Sequence, residues 1–329
     1  MNTPLQSYLF STDWHVTDNW PESRKDNYLN TIMGKVEFVV SLANKLDAHL
    51  LLGGDLVDKY NSKPKIINLL ISQLIKAKQE VFGIIGNHDI FGHNHEVIKR
   101  VILGALFESK VVTLLDARPR IITKNGVSVQ LTGTNYTPDI DVKGVSSYSI
   151  VKAPEANFAI HLVHGLLVER HLPVMKSRNY TLLTEVITRA DVLCCGHEHT
   201  GFGVRLFENV IFTNPGALGR INASLKELRR MPFVSYIKVY SDHVEVDLIA
   251  VPAATGPEVL SRQKIIETLK RKKMLTEFKD NLSLTDIGRG SLTLKDILEE
   301  KARLGNVGED VVNVSLRAIK EYEEEQHSC

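Results

Sequence analysis

The chain has 329 residues, 43% hydrophobic and 24% charged, with 40 Lys plus Arg against 39 Asp plus Glu and a formal charge of +1. That length suits two domains, or one large domain with an appendage, and the apolar fraction is that of a soluble globular protein. No run approaches the ~18 uninterrupted apolar residues of a membrane span, the polar start at Met1–Gln6 lacks a signal-peptide core, and the near-zero charge excludes attachment to nucleic acid by bulk electrostatics alone, though not a local basic groove.

Taken in chain order, Tyr8-Leu9-Phe10 reads as a strand and Arg24 to Leu46 as a helix, with Ile32, Val36, Val39, Val40 and Ala43 on one side. Leu50-Leu51-Leu52 is a second strand. Pro64 suits the first turn of a helix running through Leu74, and Val81 to Ile85 is a third strand. His95 to Phe107 has helical spacing. Phe158 to Val163 and Val192 to Cys195 are short apolar runs of the buried-strand kind. Strands alternating with helices predict a layered α/β domain. Beyond Val210 the pattern changes to successive strands at Val210-Ile211-Phe212, Phe233 to Tyr240 and Val244 to Val251, with a hairpin turn at Ser241-Asp242-His243. Helices are expected at Pro257 to Lys279, Leu294 to Leu304 and Glu309 to Glu325. The Pro- and Gly-bearing segment Pro252 to Pro257 marks a boundary, which predicts a catalytic domain over 1–251 and a helical extension over 252–329. Three cysteines cannot make a disulfide framework, so a reducing cytoplasm is the expected location. Cys194 and Cys195 read as strand residues.

Histidine is the informative count, at 12, because many fall in short motifs. Five segments each follow an apolar run: Asp13-Trp14-His15, Gly54-Asp55-Leu56-Val57-Asp58, Gly86-Asn87-His88-Asp89, Val163-His164-Gly165 and Gly196-His197-Glu198-His199. Alone, His164 reads more simply as a core histidine, while the first and third segments suit a plain turn as well as a site. Together, at the carboxyl ends of strands in an open α/β sheet, they converge on one crevice. Carboxylates, imidazoles and an amide oxygen without thiolate suit Mn, Fe or Zn better than Ca or Mg. Asp13, His15, Asp55, Asn87, His164, His197 and His199 are too many ligands for one ion and suit two, with a carboxylate such as Asp55 shared. Two ions roughly 3.5–4 Å apart clamp the attacking and leaving oxygens of a phosphoryl displacement and lower the pKa of a bound water.

In type and order this set resembles the calcineurin-like metallophosphoesterases, from about Tyr8 to Val251. The resemblance implies a four-layer α-β-β-α sandwich holding two divalent ions, Mn2+ first among them, with Fe, Zn or Mg as alternatives. It implies that Asp13, His15, Asp55 and His199 bind one ion, and Asp55, Asn87, His164 and His197 the other. His88 would protonate the leaving oxygen or stabilise charge on the phosphate, with Asp89 orienting it. No ligand position is substituted, which argues against a non-catalytic scaffold.

Further details are similar to the Mre11/SbcD nuclease branch, bacterial and phage DNA repair exonucleases included. Gly54-Asp55-Leu56-Val57-Asp58 has the bacterial form of that motif, with Asp58 where other members carry a histidine, and Asn214-Pro215-Gly216-Ala217-Leu218 resembles the loop after the last histidine motif. That branch implies a DNA exonuclease or endonuclease, an SbcC/Rad50-like ABC ATPase partner and a homodimer. Arg220, Lys226, Arg229 and Arg230 make a locally basic stretch that would neutralise backbone phosphates, or else form a solvated face. Trp14 would stack on a base or pack in the wall. His93 and His95 would line the groove or a surface loop. The apolar spacing around Leu294 to Ile319 suits docking on a partner or on the main domain. The rival expectation is a phosphodiesterase for small molecules such as cyclic nucleotides, or a phosphoprotein phosphatase, of the same superfamily.

Overall fold

The computed structural model describes residues 3–91, 98, 100, 101, 103–142, 144–172 and 179–283. Two compact units divide the chain at Ile265/Ile266. The first is built on two six-stranded sheets.

In the first sheet, β1 (Gln6–Ser11), β2 (His49–Leu52), β3 (Val81–Gly83) and β4 (Thr113–Leu114) run parallel. The antiparallel hairpin β13 (Phe233–Val239) and β14 (Val244–Ala250) completes it, β13 pairing with β1. In the second sheet, β6 (Val127–Thr134), β7 (Phe158–Val163), β10 (Val192–Cys195) and β12 (Val210–Asn214) run parallel. Antiparallel β5 (Arg120–Lys124) and β11 (Gly203–Phe207) close its edges. A small sheet of β8 (Leu167–Val168) and β9 (Thr181–Leu182) stands apart.

The period of two along a strand explains how the layers stack. Tyr8 and Phe10 of β1 meet Leu51, Phe82 and Ile237 from their own sheet and Val129, Leu131, Ile160, Leu162 and Val192 from the other. Leu9 between them faces the opposite way, with Leu50 and Leu52, onto the helices α1 (Tyr28–Lys45) and α2 (Pro64–Leu74). Asn27 caps α1 by accepting from the Asn30 amide, and Ile32, Val36, Val39, Val40 and Ala43 form its buried stripe. Each such aliphatic side chain contributes roughly 1.5–3 kcal/mol on burial. Pro64 opens α2 at its first turn. Over the outer face of the second sheet, Val163, Leu193, Cys195 and Phe212 pack on Ile140, Tyr148, Leu167, Leu183 and Val186. That layer is made from loops, β8, and 3-10 turns at Gly144–Tyr148 and Leu183–Glu185. The mixed α/β sandwich is therefore the expected one, with its second outer layer carried by 3-10 turns.

Two stretches differ from the periodicity. The helix expected from Pro257 is broken at Leu260–Arg262, leaving α5 (Gly256–Val259) and α6 (Gln263–Ser283). Val259 and Leu260 are buried with Ala223, and the Lys25 amide donates to the Val259 carbonyl, so the first unit runs past Val251 to Ile265. Of the second unit, α6 is described; Ile266, Leu269 and Met274 on it are exposed. The helices expected at Leu294–Leu304 and Glu309–Glu325, and His93 and His95, lie outside the described residues. The stretch expected as a helix from His95 resolves, where described, to α3 (Gly104–Glu108). No helix among the described residues is long and apolar enough to cross a membrane.

Candidate metal centre

All five motifs sit at carboxyl ends of parallel strands. β1, β2 and β3 deliver Asp13 and His15, Asp55, and Asn87 with His88; β7 and β10 of the other sheet deliver His164, and His197 with His199. The turns that do this are tight. Asp13, His15, Asp55 and His197 have φ of 52°, 47°, 51° and 74°, a left-handed conformation that costs an L-residue ~1–2 kcal/mol. Clustered backbone strain of this kind marks a functional site. Glycines make room for it: a Cβ on Gly86 would lie 2.1 Å from Asp55 Oδ1, and one on Gly196 would lie 2.4 Å from Thr12 Oγ1.

Three sets of donors converge, each within 4.8 Å: Asp13, His15, Asp55 and His199; Asp55, His164 and His197; and His15, Asp58 and His88. Asn87 belongs with the second set, its Oδ1 lying 2.8 Å from His197 Nδ1 and 3.1 Å from His164 Nε2. Asp55 is shared by the first two. Its Oδ1 accepts from the His88 amide at 2.8 Å, while Oδ2 is buried without a hydrogen-bond partner, with His164 Nε2 3.3 Å and His15 Nε2 3.8 Å away. His15 Nε2 and His199 Nε2 face each other at 3.1 Å. An orphaned carboxylate oxygen ringed by imidazole nitrogens fits a divalent cation, which takes lone pairs from both. The donor sets therefore fit two ions sharing Asp55.

Neighbouring groups fix the tautomers. His164 Nδ1 is 2.7 Å from the Gly53 carbonyl, which only accepts, so Nδ1 carries the proton and Nε2 faces the centre. Thr12 Oγ1 donates to Asp13 Oδ2 at 2.7 Å, and the His197 amide donates to the same carboxylate at 3.0 Å. The field here is anionic. Burial works to lower the His164 pKa, but the Asp55 carboxylate outweighs it and pushes the imidazole up to about 10. Burial works to raise Asp55, but the surrounding histidines hold it well below the carboxylate range. A dication answers to the same field.

His88 belongs to the third set and stands beside the two that share Asp55. Its Nδ1 donates to the Asp58 carbonyl at 2.8 Å, which leaves Nε2 for a substrate. With Asp58, Lys59, Tyr60 and Asn87 it lines an open cavity of about 180 Å3. The Asp58 carboxylate lies 3.6 Å from His15 Nδ1, an atom otherwise unpartnered. The Tyr136 ring lies 5.6 Å from that of His197, on the side of the second donor set.

Several sequence expectations need correction. Asp89 does not orient His88. It is fully buried and accepts from the amides of Asp55, Leu56, Val57 and Gly86, tying the β2 and β3 loops together, and the Asp58 carbonyl holds His88 instead. Trp14 cannot stack on a base: its ring is fully buried and Nε1 donates to Ser11 Oγ at 2.8 Å. Arg220 and Arg230 are interior. Arg220 donates to the carbonyls of Arg230 and Ala254, and Arg230 forks onto the Glu227 carboxylate at 2.9 Å. Only Lys226 and Arg229, on the short α4 (Leu225–Arg229), are exposed members of that basic stretch. Sequence reasoning missed Lys59 and Tyr60, whose one signal was adjacency to Asp58, and Tyr136, which carried none.

A family model described as calcineurin-like phosphoesterase matches residues 7–201, more than half of the chain. No curated protein matches. Among solved structures, the chain is similar to an archaeal phosphodiesterase at 12% identity and a TM-score of 0.36, covering 74% of this chain and 100% of that one. It is also similar to Vps29 of Chaetomium thermophilum at 11% identity and 0.32, covering 76% and 100%. Vps29 of Cryptosporidium parvum follows at 13% and 0.32, covering 75% and 98%. Likenesses this distant carry no argument about activity. The family model and the donor sets agree, and the chain belongs to the calcineurin-like phosphoesterase family.

Proposed function

We propose that this phosphoesterase is a dinuclear-metal phosphodiesterase that cleaves DNA in the manner of the Mre11/SbcD nucleases, with Mn2+ as the working ion. The observation that carries the hydrolytic part is the sharing of Asp55 between two donor sets, with His88 Nε2 free beside them. Two bound ions would supply charge neutralisation and an activated water. Asp13, His15, Asp55 and His199 would hold one, and Asp55, Asn87, His164 and His197 the other. His88 would hold a proton at the leaving oxygen, kept in its tautomer by the Asp58 carbonyl.

A nucleotide substrate is favoured by the rim. Tyr60 lines the His88 cavity and its ring meets Phe91 at 5.0 Å. Phe91 is 59% exposed, so an aromatic surface stands open next to the exposed Lys59. A base can stack there while Lys59 meets an adjacent phosphate. Lys226 and Arg229 remain as further phosphate contacts. An SbcC/Rad50-like ATPase partner, a homodimer and a cytoplasmic location belong to the same proposal.

The burial of Arg220, Arg230 and Trp14 favours the second reading, a small-molecule phosphodiesterase, because it removes three of the five expected DNA contacts. One assay separates the two. With Mn2+, the protein should cleave single- or double-stranded DNA and bis(p-nitrophenyl) phosphate. Rapid turnover of cyclic nucleotides with DNA left intact would overturn the nuclease.

A further inference from the structure

The loop Gly216–Arg220 follows β12 and passes behind the metal centre. Its amides point one way. Ala217 N donates to the His199 carbonyl at 2.9 Å, Leu218 N to Thr12 at 3.0 Å and Gly219 N to Asp13 at 3.2 Å. Its carbonyls point the other way, and each of four in a row meets a cation. Ala217 O accepts from Arg230 Nη1 at 2.6 Å and Leu218 O from Lys35 Nζ at 2.8 Å. Gly219 O accepts from Arg230 Nη2 at 3.1 Å and Arg220 O from Arg24 Nη1 at 3.0 Å.

Two peptide units thus bridge a buried cation to a ligand loop. One runs from Arg230 through Ala217–Leu218 to Thr12; the other runs from Lys35 through Leu218–Gly219 to Asp13. A cation on the carbonyl polarises the peptide and strengthens the bond its N–H makes. Lys35 is an odd residue for its place. It is 3% exposed on the apolar face of α1, and burial together with Arg220, Arg24 and Arg230 pushes its pKa well below the ordinary lysine range. A buried cation among cations is a poor stabiliser of a fold. What it touches is the peptide that grips Asp13.

We propose that Lys35 and Arg230 are positioning residues of the metal centre: through the Gly216–Arg220 loop they hold the left-handed turns that present Asp13 and His15. This rests on reading the centre as a metal site. Residues that orient metal ligands typically change affinity 10–100-fold when lost, and these act one step further out, so ~10-fold is expected.

The test is Lys35→Met and Arg230→Lys in the full chain, with Mn2+ binding measured by calorimetry and by the fluorescence of buried Trp14. Lys35→Met should weaken Mn2+ binding ~10-fold. At saturating Mn2+ its kcat on bis(p-nitrophenyl) phosphate should return to within about threefold of wild type with KM unchanged, as affinity rather than chemistry is affected. Arg230→Lys keeps the charge but not the fork that reaches two carbonyls, and should weaken binding by less. Should Lys35→Met fail to fold, Arg230→Lys alone decides. Mn2+ affinity equal to wild type in a folded variant would overturn the inference and leave the metal site standing. A wild-type protein that binds no Mn2+ would overturn both.

Discussion

Two blocks of buried charge lie back to back across one loop, and they are built on opposite rules. In the crevice, Asp13, Asp55 and the histidines face one another on strained turns, and Asp55 Oδ2 and His15 Nδ1 have no hydrogen-bond partner. Behind it, Lys35, Arg24, Arg220 and Arg230 are spent on carbonyls and on the carboxylates of Glu227 and Asp26; of these four side chains, only Arg220 Nε lacks a partner. Polar groups left wanting are capacity to bind, whereas polar groups fully satisfied are structure. The comparison teaches that burial of charge does not by itself mark a site; unsatisfied ligand atoms gathered on strained turns do.

The most damaging test of that contrast is Asp55→Ala. Hydrolysis of bis(p-nitrophenyl) phosphate should fall by ~10^3-fold or more, because both donor sets lose their shared ligand. Activity that survives would mean the chemistry lies elsewhere. In the cationic block the opposite is expected. Glu227→Gln strips the carboxylate that Arg230 forks onto, and denaturant titration should show a loss of about 3 kcal/mol. A loss below ~1 kcal/mol would place that block with exposed ion pairs.

The effect smallest near neutral pH sharpens the comparison with a buried group that is neutral. His161 on β7 lies 2.9 Å from Thr132 Oγ1 and 3.2 Å from Thr134 Oγ1, and burial pushes its pKa down to about 4 from 6.5. The unfolded chain takes up the proton near pH 6.5 and the folded one only near pH 4. Stability is therefore complete above about pH 6.5 and drains as pH falls toward 4, by about 1 kcal/mol at pH 5.5 and about 3 kcal/mol at the end of that window. Denaturation curves of wild type against His161→Gln across pH 7 to 4 should converge by those amounts. Parallel curves would mean the imidazole is protonated in the folded protein.

Legibility in the sequence followed physical context. β7 and β10 fall at Phe158–Val163 and Val192–Cys195, as the apolar runs predict, because a strand buried on both faces reads as a continuous run. The ligand motifs stood out because each follows such a run. β6 was hidden by Gln130 and Thr132, buried polar residues; Gln130 is satisfied by Val151 and Ala153 of a distant segment. Edge strands β5 and β11, half exposed, lacked apolar runs. The basic stretch misled for a related reason. Composition shows Arg220 and Arg230 as charges, and only tertiary contact shows that the carbonyls of Arg230 and Ala254 consume the first, and those of Ala217 and Gly219 with the Glu227 carboxylate the second. Asp89 is the same case in the carboxylate series.

The crevice draws its donors from both sheets, and this has a consequence for the integrity of the sandwich. His15 and His199 are 184 positions apart, and His164 and Asn87 are 77 apart. Ions held between them would act as covalent-like fasteners, closing long loops in a chain whose described cysteines, Cys194 and Cys195, are free and buried. Occupancy would then set how firmly one sheet is clasped to the other.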